Sequence, residues 1–508
     1  MTDQGDPTTE HPRADAGGAN GSIGARGRAW IGEHRTASLI TAGALVLVLF
    51  GGGSLAAGAA TGRHATNAPV AGATSTATST PGASLSPSAT PTPTPTPTPT
   101  RDVPPAIAAP APLRTCSVAG ASSAAALASF EGTVIDATTG ATLFDRNGST
   151  PARTASVMKT LTSAVALAVL GPDYRLSTTV QGDPDSGTIA LVGGGDATLS
   201  AGGATVYTGA PTLGALATQV KTALGDNAVT TIDLDATYWN IADRWDPSVN
   251  RSEQTIGYQP EVVPLMVDGD RANPALATSP RSTDPVGRAG TAFKAALVAA
   301  GVNGAATATV TSAAATSSNV LGKVQSQPVS TLIGQMIPNS DNTLAEMLAR
   351  VSSRVAGSDG SAASLTSVYQ NALSKTYGLN ASTIVIKDGS GESPNNGVPA
   401  TLEAQLMVQV LNRAHDLGIL SDVLPISGRT GTLATRFTGA NAVARGAVHA
   451  KTGWIDTAYT LGGYMTARDG TKLTFAFYAI GRVSSATIPS IDTLTTAVFN
   501  CGANLSNN

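Results

Sequence analysis

Apolar and polar positions change rhythm several times along the chain. Residues 1–36 show no sustained apolar period and read as a disordered tail. Residues 37–60 carry no charge and centre on the run Leu45-Val46-Leu47-Val48-Leu49-Phe50. As a helix this stretch is long enough to cross a ~30 Å hydrocarbon layer. Residues 61–112 are rich in Ala, Thr, Ser and Pro, with Thr-Pro repeated from Thr90 to Thr100. Such a stretch buries too little apolar surface to fold, and proline keeps it extended at ~3.1 Å per residue.

Globular patterning begins near Cys116. Phe130–Ile135 and Ala141–Phe144 flank Thr138-Thr139-Gly140 and predict a hairpin. Ser156–Leu170 has helical composition and stops at Gly171-Pro172. Near the C-terminus, Gly446–Trp454, Tyr459–Thr466 and Lys472–Ile480 read as three strands, the last two joined through Arg468-Asp469-Gly470. A helix is expected over 487–500. Strands at both ends of the folded part predict one antiparallel sheet built from both termini, with helices packed on it. Residues 173–330 differ: short Val/Thr/Ile runs are separated by Gly, Asp and Pro. They are expected to form an inserted, β-rich region between 113–172 and 331–508. The fold class is therefore α/β of the α+β type.

Charge decides which side of a membrane this part occupies. Arg26, Arg28 and Arg35 precede the apolar run, and only Arg63 lies close after it. Positive residues stay inside, so 1–36 is expected in the cytoplasm and everything after Ala60 outside. A cleaved signal peptide is the alternative, since Ala57-Gly58-Ala59 resembles a cleavage site. Either way the folded part is extracytoplasmic, and 61–112 is a stalk or a passive linker. Export permits a disulfide between Cys116 and Cys501, two free thiols being the alternative. Both chain ends must meet for the bridge, as the shared sheet suggests. The net charge of −3, without a basic cluster, argues against nucleic acid as a partner. His415 and His449 are the only histidines in the folded part, too few for a three-His metal site.

Three short motifs carry the candidate chemistry. Ser156-Val157-Met158-Lys159 places a hydroxyl and an amine at i and i+3 of a helix, on one face. It is the only Ser-x-x-Lys in a chain with eight lysines. Lysine normally titrates near ~10.4, so Lys159 becomes a base for Ser156 only if burial or nearby positive charge lowers it. Lys451 is a candidate for that charge. Ser340-Asp341-Asn342 precedes a helical run, Thr343–Val351, where all three residues are also good helix caps. Functionally, Ser340 would relay a proton to the leaving group, and Asn342 would bind substrate and Lys159. Lys451-Thr452-Gly453 lies on an expected strand. Lys451 would be cationic, Thr452 would bind a carboxylate, and Gly453 would let a ligand approach. The amides of Ser156 and Trp454 are candidates for an oxyanion hole. Ordinary alternatives remain: an exposed helix pair, a capped helix and a strand-end lysine.

In this order the motifs resemble the class C low-molecular-mass penicillin-binding proteins, the D-alanyl-D-alanine carboxypeptidase/endopeptidase family. Leu191-Val192-Gly193-Gly194-Gly195-Asp196-Ala197-Thr198-Leu199, Asp388-Gly389-Ser390-Gly391 and Gly431-Thr432-Leu433 with Arg436 are similar to further segments of that family. The resemblance covers about 116–501. It implies a penicillin-binding, transpeptidase-like domain with an insert and no metal or organic cofactor. It also implies a Ser156 acyl-enzyme that cleaves peptidoglycan stem peptides, with β-lactams as covalent inhibitors. Lys159, Ser340, Asn342, Lys451 and Thr452 carry over by position. Trp454 stands where many relatives have threonine, and Glu392 where an apolar residue is common. Arg429 and Arg436 are candidates for a substrate carboxylate or for structural ion pairs. A non-catalytic wall-binding or β-lactam-sensing module and a β-lactamase are the competing functions.

Overall fold

The computed structural model of the protein describes residues 113–507. The expectations for 1–36, 37–60 and 61–112 lie outside the described residues. Among those described, no helix is long and apolar enough to cross a membrane.

β1 (Ser129–Asp136) and β2 (Thr142–Arg146) form the expected hairpin, and β3 (Pro151–Ala152) follows. The insert supplies β4 (Ser177–Gln181), β5 (Thr188–Gly193), β6 (Thr231–Asp235), β7 (Thr309–Thr311) and β8 (Val320–Gln325). β9 (Val398–Pro399) pairs with β3, and the chain ends through β10 (Val448–Ile455), β11 (Ala458–Thr466) and β12 (Lys472–Ile480).

The main sheet is antiparallel throughout, in the order β10-β11-β12-β1-β2. β12 therefore pairs with β1, from Ser129↔Ile480 to Asp136↔Leu473. Both termini build this sheet, as the strand patterns predict. Seven consecutive residues of β12, from Leu473 to Ala479, are buried, because both faces of the strand are covered. Each such Leu or Phe contributes about 1.5–3 kcal/mol relative to exposure. Gly132 on β1 has no room for a side chain: an added Cβ would lie 2.6 Å from the Phe130 ring and 2.9 Å from Phe477. The ends are tied by the Cys116–Cys501 disulfide, with Cα atoms 5.5 Å apart, and by the bridge of Cys116 to Leu505.

Eight helices matter for the site. They are α1 (Met158–Val169), α2 (Leu213–Leu224), α3 (Pro285–Ala299), α4 (Val329–Asn339), α5 (Asn342–Val355), α6 (Leu365–Tyr377), α7 (Ala400–Leu411) and α8 (Thr487–Cys501). α8 packs Ile491, Leu494 and Val498 into the apolar cluster on one side of the main sheet. α1, α4, α5, α6 and α7 share a second, helical core. α1 is buried over Met158–Leu167 and forms its axis.

The insert's sheet runs β7-β6-β5-β4-β8. Its β5-β6-β7 portion is parallel, and β4 is antiparallel to both neighbours. α2 and α3 pack against it around Leu216, Val220, Phe293 and Leu297. The β-rich reading of 173–330 does not name those two helices. Parallel neighbours need crossovers, and helices supply them.

Candidate active site

The chain reaches Ser156 under tight local constraint. Ala155 sits at φ +44°, a left-handed conformation that is costly for a residue with a side chain. Ser156 then opens a single 3-10 turn, Ala155–Val157, that runs into α1. Two glycines press on this turn. An added Cβ at Gly391 would strike the Ala155 carbonyl, and one at Gly453 would lie 2.7 Å from the Thr154 carbonyl and 2.9 Å from the Ala155 Cβ. Gly453 is thus needed for the segment 154–156 to seat against β10. The close approach expected there from a ligand is made by protein backbone.

Lys159 lies one turn into α1 and is fully buried. Its Nζ donates to Ser156 Oγ at 2.9 Å, Asn342 Oδ1 at 2.7 Å and the Ser390 carbonyl at 2.7 Å. An ammonium has three protons, and all three are placed. On loss of one proton, Asn342 Oδ1 and Ser390 O still require donors, since neither can give a proton. Only the Ser156 contact can reverse, with Oγ–H donating to the amine. The geometry therefore directs the lysine lone pair at the serine. Burial pushes Lys159 down to about 8, against the upward pull of Glu392, Asp388, Glu346 and Asp341. Of the two causes the sequence allows, burial or a nearby positive charge, burial is the leading one.

The second motif both caps and presents. Ser340 ends α4 in the left-handed region at φ +54°, and Asp341 caps α5 by accepting from the Leu344 amide at 3.0 Å. Lys451 Nζ, on buried β10, donates to Ser340 Oγ at 2.9 Å. Two lysine–serine pairs thus stand in one site, Lys159 with Ser156 and Lys451 with Ser340. Thr452 Oγ1 donates to Thr432 Oγ1 at 2.7 Å, tying β10 to the Gly431-Thr432-Leu433 segment. Trp454 is half-buried beside Tyr459, ring centroids 6.2 Å apart.

Several supporting groups escaped the sequence reading. Glu346 follows Asn342 by one helical turn, so both share a face of α5. Its carboxylate accepts from the amides of Gly389 at 3.1 Å and Ser390 at 3.0 Å. That contact holds the turn whose Ser390 carbonyl receives Lys159. Asp388 closes the same turn, accepting from the Gly391 amide at 2.7 Å and Asn396 Nδ2 at 2.8 Å. Burial and then Glu346 push Asp388 up to about 7. The i, i+4 spacing of Asn342 and Glu346 was a usable signal; their shared target was not.

The insert also grips the site. Arg271 Nη2 donates to Asp341 Oδ2 at 2.7 Å, and Tyr207 OH donates to the same oxygen at 3.3 Å. Burial alone would raise Asp341, but the Arg271 and Arg281 guanidiniums outweigh it and hold the carboxyl below its ordinary range. Other motif residues are structural. Asp196 is buried in a turn, bonding the Thr198 amide and hydroxyl. Arg436 forms a buried ion pair with Asp492 at 2.6 Å, which removes it as a substrate-carboxylate ligand. Arg429 is exposed, with its guanidinium packed on Gly446. Among the described residues no cluster of three or more His, Cys, Asp or Glu forms a metal site.

Comparison with known proteins gives a consistent result. The model of the D-Ala-D-Ala carboxypeptidase 3 (S13) family matches residues 118–281 and 270–497. The chain is 34% identical over 413 residues to carboxypeptidase DacB of Mycolicibacterium smegmatis, covering 79% of this chain and 87% of that protein. It is 33% identical over 395 residues to a carboxypeptidase of Mycobacterium tuberculosis, covering 74% and 81%. In fold it is similar to penicillin-binding protein 4 of Haemophilus influenzae. The TM-score is 0.60 at 17% identity, with 73% of this chain and 96% of that chain covered. A buried lysine aimed at a serine, a second lysine–serine pair and a family match over residues 118–497 make this chain a serine-type peptidase. It belongs to the D-Ala-D-Ala carboxypeptidase 3 (S13) family, the low-molecular-mass penicillin-binding carboxypeptidases.

Proposed function

We propose that the chain hydrolyses the D-Ala-D-Ala end, or a D-amino-acid crosslink, of peptidoglycan stem peptides through an acyl-enzyme on Ser156. One observation carries this reading: Lys159 is held by two acceptors that cannot give a proton, and by Ser156, which can. The amine takes the Ser156 proton as Oγ attacks the penultimate carbonyl carbon. The oxyanion is received by the amides of Ser156 and Trp454, a role typically worth about 3–4 kcal/mol of barrier per donor. Ser340, paired with Lys451, passes a proton to the departing D-alanine nitrogen. Asn342 and Thr452 hold the substrate on either side of the serine. Water then cleaves the ester. A β-lactam enters the same steps, but its leaving group stays tethered and the ester persists.

The peptidase unit is composed of residues 113–172 and 331–508, interrupted by 173–330. Residues 37–60 anchor it in the plasma membrane or direct its secretion, and residues 61–112 serve as a stalk or a passive linker. Intact mass after incubation with benzylpenicillin tests the reading. A persistent adduct on Ser156, absent from Ser156→Ala, is the expected result. Penicillin destroyed without an adduct indicates a β-lactamase, and penicillin left intact without an adduct indicates a binding module.

A further inference from the structure

Glu392 has no part in the steps above, yet it adjoins the groups that perform them. It follows the turn whose Ser390 carbonyl receives Lys159. Its Oε2 accepts from Asn342 Nδ2 at 3.1 Å, while Asn342 Oδ1 accepts from Lys159 at 2.7 Å. The carboxyl group thereby decides which end of the Asn342 amide faces the lysine, a choice otherwise open to an asparagine. We propose that Glu392 is a positioning residue for acylation: it orients Asn342, and its charge governs whether Lys159 holds two protons or three. The inference presupposes the Ser156 acyl-enzyme.

The surrounding charges define the sign. Glu392 faces Lys159 on α1, Asp388 on its own turn and Glu253 on the short helix Ser252–Ile256 of the insert. Lys159 faces Glu392, Asp388, Glu346 and Asp341. An ionised Glu392 favours the ammonium, which is no base. A protonated Glu392 releases the amine. Burial, then the like charge of Glu253, push Glu392 up to about 8, against Lys159. Burial thus draws Lys159 down and Glu392 up, toward one another, so the charge on each bears on the proton held by the other. Buried Glu253 belongs to the insert, so the insert reaches the proton balance of the nucleophile.

The test is the second-order rate of benzylpenicillin acylation in the full chain, followed by intact mass from about pH 5 to about pH 10. In Glu392→Gln, which keeps an acceptor for Asn342, the acid limb moves down by up to roughly one pH unit. Its plateau stays close to the parent's. In Glu253→Gln, Glu392 ionises more readily and the acid limb moves up. A purely structural role would depress the plateaus and leave both limbs in place. Unmoved limbs, or limbs moving in the same direction, overturn the assignment. Should Glu392→Gln fail to fold, the upward shift in Glu253→Gln decides alone. Absence of any Ser156 adduct in the parent would overturn the acyl-enzyme and this inference together, whereas unmoved limbs with a normal adduct overturn only the role of Glu392.

Discussion

Replacing Arg271 with methionine tests whether the insert holds the second motif in place. Arg271 lies in the insert, is 2% exposed, and reaches Asp341 Oδ2 at 2.7 Å. Methionine fills much of the same volume but leaves the Asp341 carboxylate buried with less compensation. Removing one partner of a buried pair costs about 3–5 kcal/mol. Roughly 400 folded residues at ~2.1 cal/mol/K each give an unfolding entropy of about 0.8 kcal/mol/K, so the melting temperature should fall by about 4–6 °C. The pH dependence sharpens the test. In the parent, Asp341 titrates below its unfolded value, so it contributes stability above that value, lost as pH falls through the folded one. Without Arg271 the burial penalty dominates and the folded value rises. The stability gap between parent and variant should therefore narrow on acidification toward about pH 4. Asp341 caps α5 between Ser340 and Asn342, so acylation by benzylpenicillin should slow as well. Calorimetry and acylation kinetics at neutral and acid pH are the assays. A melting point within about 1 °C of the parent at neutral pH, with an unchanged acylation rate, would refute the clamp.

Two further predictions concern stability. Glu403 on α7 is buried, with its two carboxyl oxygens 2.8 and 2.9 Å from Thr160 Oγ1, and burial pushes it up to about 8. Its folded value exceeds the ordinary glutamate value of 4.5, so the stability it contributes is full below 4.5 and lost as pH rises to about 8, with a ceiling of roughly 5 kcal/mol. Glu403→Gln should flatten the melting curve against pH over that window, and an unchanged slope would disprove the assignment. Reducing Cys116–Cys501 opens a loop of 385 residues and removes at most roughly 6 kcal/mol in the chain-entropy picture. Because β1 and β12 remain paired, the reduced protein should melt lower yet still be acylated at Ser156; loss of acylation at ambient temperature would contradict this.

Much of this architecture was legible in local pattern. The hairpin of β1 and β2, the three C-terminal strands and α8 follow from alternation and turn residues within about ten positions. The insert's helices were legible too, though strand-like neighbours obscured them. Leu213, Leu216, Ala217, Val220 and Leu224 repeat at helical spacing behind a Thr212 cap, and Asp284-Pro285 opens α3 with a cap and a proline. What sequence could not supply is partnership across distance. The motifs name Lys159 but not the Ser390 carbonyl, 231 positions away, that absorbs one of its protons. They leave open whether burial or the charge of Lys451 lowers Lys159, whereas the fold buries Lys159 completely and turns Lys451 to Ser340. Asp341 reads as a cap and is one, but its second duty toward Arg271 depends on a residue 70 positions earlier.

The pairing of β1 with β12 sets the order in which the molecule can assemble. Asp136 and its partner Leu473 lie more than 300 positions apart. As the chain emerges, the first hairpin and α1 are made early, but the edge of β1 stays open. At ~5–20 residues per second, the strand that covers it arrives tens of seconds later. β10, with Lys451, precedes it only slightly. Until then the chain carries Ser156 without Lys451, a half-built sheet and an unpaired Cys116. Maturation of the enzyme thus waits for β12 and Cys501, and nascent chains need protection from edge-to-edge association over that interval.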